Sequence, residues 1–484
     1  MSLWRLLGNC LIILLAGSGA AMAQAAKDRH DPIPPPLDPD TSRSIFSILP
    51  EPGASIKARR DNLTESGLRI TGKYIGEVFT NAVGGFRPGT AYDGRLRLSL
   101  DADFEKLIGM QGLILHASAL QIHGRGIDLL YVGSLMPPSN IEAARATRLY
   151  EMWLQKDFAD GLLSIRAGQI AADQEFMFPI WATLFINGAF GWPVYAAANM
   201  PDGGPAYPLP STGVRVAVNP NEHLTLMAAI LNGDAAPPMG LFGNPDPQRR
   251  NPSGLTFRLN DPPLFIGEAQ IKYEVNDLAG VVKLGGWRHN GSFTDLHWGV
   301  DTLSLADPDS LGLGRRHHGD YGFYAILDQQ IGAGNGPGRG AGFFLRAGAV
   351  PDDRNLVSLS ADAGVSFVGF MDERPDDLFG IGFGYTKISG AARALYRDTA
   401  RFNNALQPIR SSEELVEVTY IAKMATGWYV QPDVQFILQP GGNIADPRDP
   451  AGSPAVAQLA RSRHEITRAI LNFHRAESSS SRQA

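Results

Sequence analysis

Between Asp93 and Phe104 the chain alternates strictly. Leu96, Leu98, Leu100, Ala102 and Phe104 fall on one side of an extended strand, and Arg95, Arg97, Ser99, Asp101 and Asp103 fall on the other. Successive side chains of a strand point to opposite faces, so this stretch has one apolar face and one face of arginines and aspartates. Period-two segments of this kind recur down the chain: Leu68–Thr80, Gly94–Phe104, Leu113–Ile122, Arg148–Lys156, Leu163–Ile170, Gly213–Val218, Leu224–Leu231 and Leu264–Tyr273. They continue through Ala279–His289, Tyr321–Gln329, Gly342–Gly348, Ser358–Phe370, Gly380–Ile388, Glu414–Met424, Trp428–Leu438 and Ile466–His474. An even number of antiparallel strands can close on itself with both ends at one rim. The expected fold is therefore all-β: a closed antiparallel transmembrane β-barrel of sixteen strands, spanning residues 66–474.

Turn-forming residues separate the segments, as at Asn219-Pro220-Asn221, Asn276-Asp277 and Pro351-Asp352-Asp353. Five intervals are long: Gly124–Thr147, Ala171–Thr212, Asn232–Asp261, Gly291–Asp320 and Ser389–Ser412. Short turns at one rim and long loops at the other are the habit of outer-membrane barrels. The stretch Phe176–Pro193, FMFPIWATLFINGAFGWP, is too apolar for an ordinary external loop. It is expected either to fold inward and narrow the lumen or to brace the wall.

The polar phase supplies the candidate lining. Glu268, Gln270 and Lys272 share a face opposite Phe265, Ala269, Ile271 and Tyr273. Asp362 and Ser366 oppose Leu359, Ala361, Val365 and Phe367. Glu417 opposes Val416, Val418 and Tyr420, and Asp433 and Gln435 oppose Val434 and Phe436. A cationic side chain at the bilayer midplane costs about 2–4 kcal/mol, so these sets are expected to face water or partners inside the barrel. Arg95, Arg97, Arg166 and Arg346 would offer donor forks there, Asp101, Glu151, Glu268, Asp362 and Glu417 acceptors, and Gln270 and Gln435 both. Lys272, Lys283 and Asp433 share the same faces. Trp153 and Trp287 lie in the phases of Glu151 and Lys283, where an indole ring could either stack against solute or simply pack.

The amino terminus reads as an export signal at residues 1–23. Arg5 is followed by the apolar core Leu11–Ala16 and by the small-x-small site Ala21-Met22-Ala23 before Gln24. A proline-rich arm, 24–65, follows, and a polar tail, 475–484, closes the chain. The one cysteine, Cys10, falls within the signal, which leaves no disulfide, thiolate cluster or cysteine nucleophile for the exported product. After the signal no eighteen-residue apolar run offers a membrane helix. The mean hydropathy of -0.10 suits a wall that is apolar at alternate positions only. A formal net charge of -6 argues against general nucleic-acid binding.

Catalysis finds little support. Asp352-Asp353 and Asp376-Asp377 are acidic pairs, but no G-x-S-x-G or H-E-x-x-H motif accompanies them, and His289 and His317-His318 lack an ordered acidic partner in the sequence. Neither a phosphate-binding loop nor an inverted repeat indicates active pumping. No metal or cofactor is expected.

Several segments resemble the carbohydrate-selective outer-membrane porins of the OprB family. They are VKLGGWRH (Val282–His289), GDYGFYAILDQQ (Gly319–Gln330), LRAGAVPDDRN (Leu345–Asn355), SADAGVSFVG (Ser360–Gly369) and RPDD with FGIGFGYTK (Arg374–Lys387). The longest is EVTYIAKMATGWYVQPDVQFILQPGG (Glu417–Gly442), and RLYEMWLQ (Arg148–Gln155) and IRAGQ (Ile165–Gln169) extend the likeness toward the amino end. The resemblance implies a monomeric or loosely associated sixteen-stranded channel through which glucose and related mono- or oligosaccharides diffuse across the outer membrane. Its partners would be those solutes, outer-membrane lipids and the insertion machinery. Two other readings stay open at this stage: a general small-solute porin, and a soluble exported carbohydrate-binding β protein. The carboxyl end departs from the family, because Phe473 is followed by the polar RAESSSSRQA rather than ending the chain.

Overall fold

The computed structural model describes residues 65–334, 339–404, 407–425, 427–446 and 455–468. The expected signal, nearly all of the arm and the polar tail lie outside these residues. Sixteen strands follow one another and close into a single antiparallel barrel in which β1 pairs with β16. They are β1 Leu68–Gly85, β2 Gly89–Asp103, β3 Leu113–Gly124, β4 Ala146–Phe158, β5 Leu163–Ile170, β6 Ser211–Asn221, β7 Leu224–Asn232 and β8 Pro263–Val275. Then come β9 Leu278–Gly299, β10 Gly314–Ala333, β11 Gly340–Ala349, β12 Val357–Val368, β13 Leu378–Ile388, β14 Ser412–Ala425, β15 Trp428–Leu438 and β16 Ala455–Arg468. Among the described residues no helix is long and apolar enough to cross a membrane. Closure gives every strand a partner on both sides, which is how a sheet satisfies its backbone groups in hydrocarbon.

Two corrections concern strand ends. The last strand is Ala455–Arg468, not Ile466–His474: Gly72 of β1 stands opposite Arg468, and Gly85 opposite Ala455. Ala457 and Leu459 are fully buried inward while Gln458 and Ala460 are exposed, so the start of this strand reverses the usual polarity and escapes a search for apolar-out alternation. Residues 469–474 lie outside the described residues. The interval 291–320, expected as a loop, is mostly strand, because β9 runs on to Gly299 and β10 begins at Gly314.

The rims differ as expected. β4–β5, β6–β7 and β8–β9 join by tight turns, the last being Asn276-Asp277 with φ of 51° and 61°, the left-handed pair that a two-residue hairpin requires. At the opposite rim lie the segments 125–145, 171–210, 233–262 and 389–411, and the last carries the helix Gly390–Phe402. β1 begins and β16 ends at the short-turn rim, which is taken as periplasmic.

Alternation sorts the wall. On β13, Ile381 and Phe383 are exposed outward while Gly380, Gly382, Gly384 and Thr386 are buried inward, and on β15 Val434 and Phe436 face out while Asp433 and Gln435 face in. The interior is nevertheless not uniformly polar. Ile326, Phe344, Val357, Ile388, Leu415, Ile437, Ala457 and Leu459 point inward and join the main apolar cluster together with Phe176, Phe185, Ile186, Phe190 and Tyr195 of segment 171–210. That segment is folded into the lumen.

If lipid contacts the outward phase, Phe383→Arg on β13 should weaken folding into vesicles by about 2–4 kcal/mol. Urea titration of the vesicle-inserted barrel measures this, and a change near zero would remove the strand's assigned orientation.

Candidate solute passage

A loop inside a barrel brings its own backbone N–H and C=O groups into a confined space, and each needs a partner. The inward side chains of β8 to β15 supply them. Glu268 accepts from the Met177 amide at 3.0 Å and from the Tyr324 hydroxyl at 2.7 Å. Asp328 accepts from the Trp181 amide at 3.1 Å, and the two oxygens of Glu417 accept from Ile186 and Asn187 at 2.7 and 2.9 Å. For the carbonyls, Arg346 donates to Met177, Ala189 and Gly191 while pairing with Asp362 at 3.0–3.1 Å. Lys283 donates to the Phe178 carbonyl, Ser366 to that of Trp181, and Gln431 to that of Leu184. Gln435 bonds Asn187 at 3.0 Å, the Pro138 carbonyl at 2.9 Å and Asp433 at 3.0 Å. Glu413 takes the amides of Leu135 and Met136 from segment 125–145, which is drawn inward beside the first.

Glycine provides the room. A side-chain carbon at Gly382 would lie 2.7 Å from the Phe190 ring, at Gly380 2.5 Å from Leu184, and at Gly364 2.6 Å from Phe344. The inward glycines of FGIGFGYTK are thus the seat of the apolar loop, and Phe185, Phe190 and Phe344 pack there with ring centroids 4.7–6.0 Å apart.

The opposite arc, β2 to β6, is built otherwise. Arg97 pairs with Glu151 at 3.2 Å and lies 5.0 Å from the Tyr150 ring centroid. Glu151 also accepts from the Ala171 amide where the loop begins. Asp101 bonds His116 at 2.7 Å, His116 stacks on Trp153 with centroids 4.9 Å apart, and the Arg166 guanidinium lies 3.6 Å from the Trp153 ring centroid. Arg166 reaches Gln155 at 2.8–3.0 Å, and with Arg215 it clasps Glu175 of the loop. Arg95 lies over Tyr207 at 5.2 Å and has no ion pair among the described residues. Within the loop, burial pushes the Asp173 carboxyl up to about 6 although it accepts the Tyr207 amide at 3.1 Å. Asp202, half-buried beside Asp234, is pushed up to about 7 by desolvation and that neighbour against the pull of Arg250.

The two arcs differ in access to water. Inward positions of β1 to β5 are divided: Glu77, Arg97, Arg148 and Glu151 are buried, while Lys73, Arg95, Ser99, Asp101, Trp153, Gln155 and Arg166 keep partial exposure. By contrast, Asp328, Arg346, Asp362, Glu413, Glu417, Thr419, Asp433 and Gln435 on β10 to β15 are all buried. The candidate residues therefore fall into two groups. Arg95, Arg97, Asp101, Glu151, Trp153 and Arg166 come together on the first arc. Glu268, Lys283, Arg346, Asp362, Glu417, Asp433 and Gln435 hold or adjoin the inward loops rather than present free groups, with Gln270 bonded to Glu268 at 2.6 Å. Lys272 stays exposed toward the periplasmic rim. Trp287 is 3% exposed within the apolar cluster, and Trp153 is covered by His116 and Arg166, so neither ring presents a bare face for stacking.

Arg148, Arg215 and Glu175 beside the first arc, and Asp328, Glu413 and Gln431 among the anchors, are site positions beyond those expected from the sequence. Arg215 was recoverable from the alternation of GVRVAV. Glu175 carried no periodic signal, because it belongs to a loop.

A closed sixteen-stranded wall with a loop folded into its lumen and a charged, partly hydrated arc beside that loop defines an outer-membrane channel. The description "carbohydrate-selective porin, OprB family" matches residues 87–462, and the chain belongs to that family. It is a carbohydrate-selective porin of the outer membrane. Among its relatives, Porin B of Pseudomonas aeruginosa is 24% identical over 411 residues, covering 79% of this chain and 86% of that protein. The high-pH structure of Pseudomonas putida OprB superposes with a TM-score of 0.75 at 19% identity, over 85% of this chain and 97% of that one. The low-pH structure of the same protein gives 0.52 at 15% identity, over 88% and 99%.

Replacing Arg346 by Met leaves Asp362 buried without its partner and three loop carbonyls without a donor. The expected result is a loss of about 3–5 kcal/mol in stability together with a larger, noisier single-channel conductance in planar bilayers. Unchanged conductance would show that the loop is held without Arg346.

Proposed function

We propose that glucose and related mono- or oligosaccharides cross by passive diffusion along the β1 to β5 side of the lumen, between that wall and the inward loop. The reading is carried by the contrast between the two arcs: one is packed shut against the loop, while the other keeps charged and amide groups partly hydrated. Sugar hydroxyls both donate and accept hydrogen bonds. Arg95 and Arg166 offer planar donor forks, Asp101 offers acceptor oxygens, and Gln155 offers both. Arg97 and Glu151 act one step back, fixing the start of the loop opposite these groups. Contacts of this kind exchange quickly with water, so they select solutes without trapping them. The concentration gradient drives net flux, and no covalent bond changes. The chain reaches the outer membrane after cleavage of residues 1–23, and the wall works as a monomer.

In proteoliposomes the protein should admit glucose faster than a zwitterionic solute of similar size. Arg95→Gln should lower that ratio by about five-fold, the equivalent of about 1 kcal/mol for one net hydrogen bond. If Arg95→Gln and Asp101→Asn both leave the ratio at the wild-type value, the proposed route is wrong.

A further inference from the structure

The outward face of β9 and β10 carries groups that the lumen does not use. Low on these strands the outward positions are apolar: Leu284 on β9, and Ala325 and Phe323 on β10. Above them the character changes to Arg288, Asn290, Ser292 and Thr294 on β9 and to Tyr321, His318 and Arg316 on β10, with Arg315 exposed beside the irregularity at Gly314 and Arg316. Their inward neighbours fix this orientation. Trp287, His289 and Asp295 are buried, and His317 turns in to bond Asp295 at 3.0 Å.

Arg288 stands in cross-strand register with Phe265 on β8 and Tyr321 on β10, and the row continues through Ile230 and Val214. A guanidinium among apolar and aromatic neighbours at a bilayer edge extends its stem along the wall and places its charge among headgroups. Its Nε donates to Asn290 Oδ1 at 3.2 Å, which aims the fork up the strand.

None of Arg288, Arg315 and Arg316 makes an ion pair among the described residues. Arg249, Arg258, Arg339 and Arg374 do, with Asp246, Asp261, Asp372 and Asp377, while exposed Arg87, Arg125 and Arg145 share the lack of an ion pair among the described residues but do not lie on this outward face. In the hairpin above the patch, Asp301 is already engaged by the amides of Leu303 and Leu311, and Asp307 by that of Asp309. Arg288 borders the apolar belt, and Arg316, opposite Thr294, stands about 20 Å higher along β9, with Ser292 between them. A column of guanidinium groups without counterions that starts at the belt complements a phosphorylated headgroup carried on acyl chains.

We propose that the outer wall at β8 to β10 is a binding site for a phosphorylated glycolipid of the outer leaflet. Arg288, Arg315 and Arg316 hold its phosphates, and Phe265, Leu284 and Phe323 receive its acyl chains.

The test uses the full-length, detergent-purified barrel with diphosphoryl lipid A, its phosphatase-treated form and inorganic phosphate as probes, read by native mass spectrometry. The wild type should retain diphosphoryl lipid A at least about ten-fold better than the Arg288→Gln/Arg316→Gln double variant, since each basic residue at the surface contributes comparably to anionic-lipid binding. Arg249→Gln/Arg258→Gln should behave as the wild type, and millimolar phosphate should not displace the lipid. Conductance and heat-modifiable electrophoretic mobility report that the variants are folded, and Arg316→Gln alone, with roughly a five-fold loss, serves if the double variant does not fold. Equal retention by the folded variants, equal retention of the dephosphorylated lipid, or displacement by millimolar phosphate would each overturn the proposal.

Discussion

A polypeptide loop inside a barrel is tolerable only if its amides and carbonyls find partners there, and this requirement organises the lumen. Glu268, Asp328 and Glu417 receive amides of segment 171–210, while Arg346, Ser366 and Gln431 serve its carbonyls. Buried ionic groups are costly unless paired and hydrogen-bonded, and here the arginine, the aspartate beside it and the loop carbonyls complete one another's valence. The inward glycines of β11 to β13 leave room for the loop side chains Trp181, Leu184, Phe185 and Phe190, so that the loop packs close enough for these bonds to form. Remove either the glycines or the charges and the loop has no seat.

Once the loop is seated, the lumen is asymmetric. β10 to β15 spend their buried polar groups on it, whereas β1 to β5 give it Glu151 and Arg166 and keep Arg95, Ser99 and Asp101 partly hydrated. On the proposed route, selectivity for carbohydrates belongs to the arc that keeps partly hydrated groups such as Arg95, Asp101 and Arg166. The acidic start of the loop is tied to this arc: Glu175 takes Arg166 and Arg215, and the Ala171 amide donates to Glu151. The position of the loop and the charge of the passage are therefore not independent.

Much of this was legible in the chain, for a physical reason. Lipid on one side and loop or water on the other impose a period of two, so fifteen of the sixteen strands stand where alternation places them, and Leu163–Ile170 and Trp428–Leu438 agree residue for residue. β16 was misplaced because its first residues turn Ala457 and Leu459 inward against the loop and Gln458 outward. β9 and β10 run past their expected ends because above the membrane a ladder needs hydrogen bonds but no apolar face. The polar phase turns inward in the barrel, yet its division into anchors and partly hydrated groups was invisible in the sequence. A charge facing a loop and a charge facing water obey the same periodicity, and only the tertiary position of Phe176–Pro193 separates them.

The account turns on which arc solutes can reach, and substituted-cysteine accessibility tests it most directly. In a Cys10→Ser background, Ser99→Cys on the inward face of β2 and Ser366→Cys on the inward face of β12 are matched substitutions of one side chain by its sulfur analogue. A small charged methanethiosulfonate should modify Cys at 99 rapidly and lower the single-channel current, and leave Cys at 366 unmodified with the current intact. Rapid modification and block at 366, with 99 silent, would place the passage on the opposite side of the loop and contradict the account.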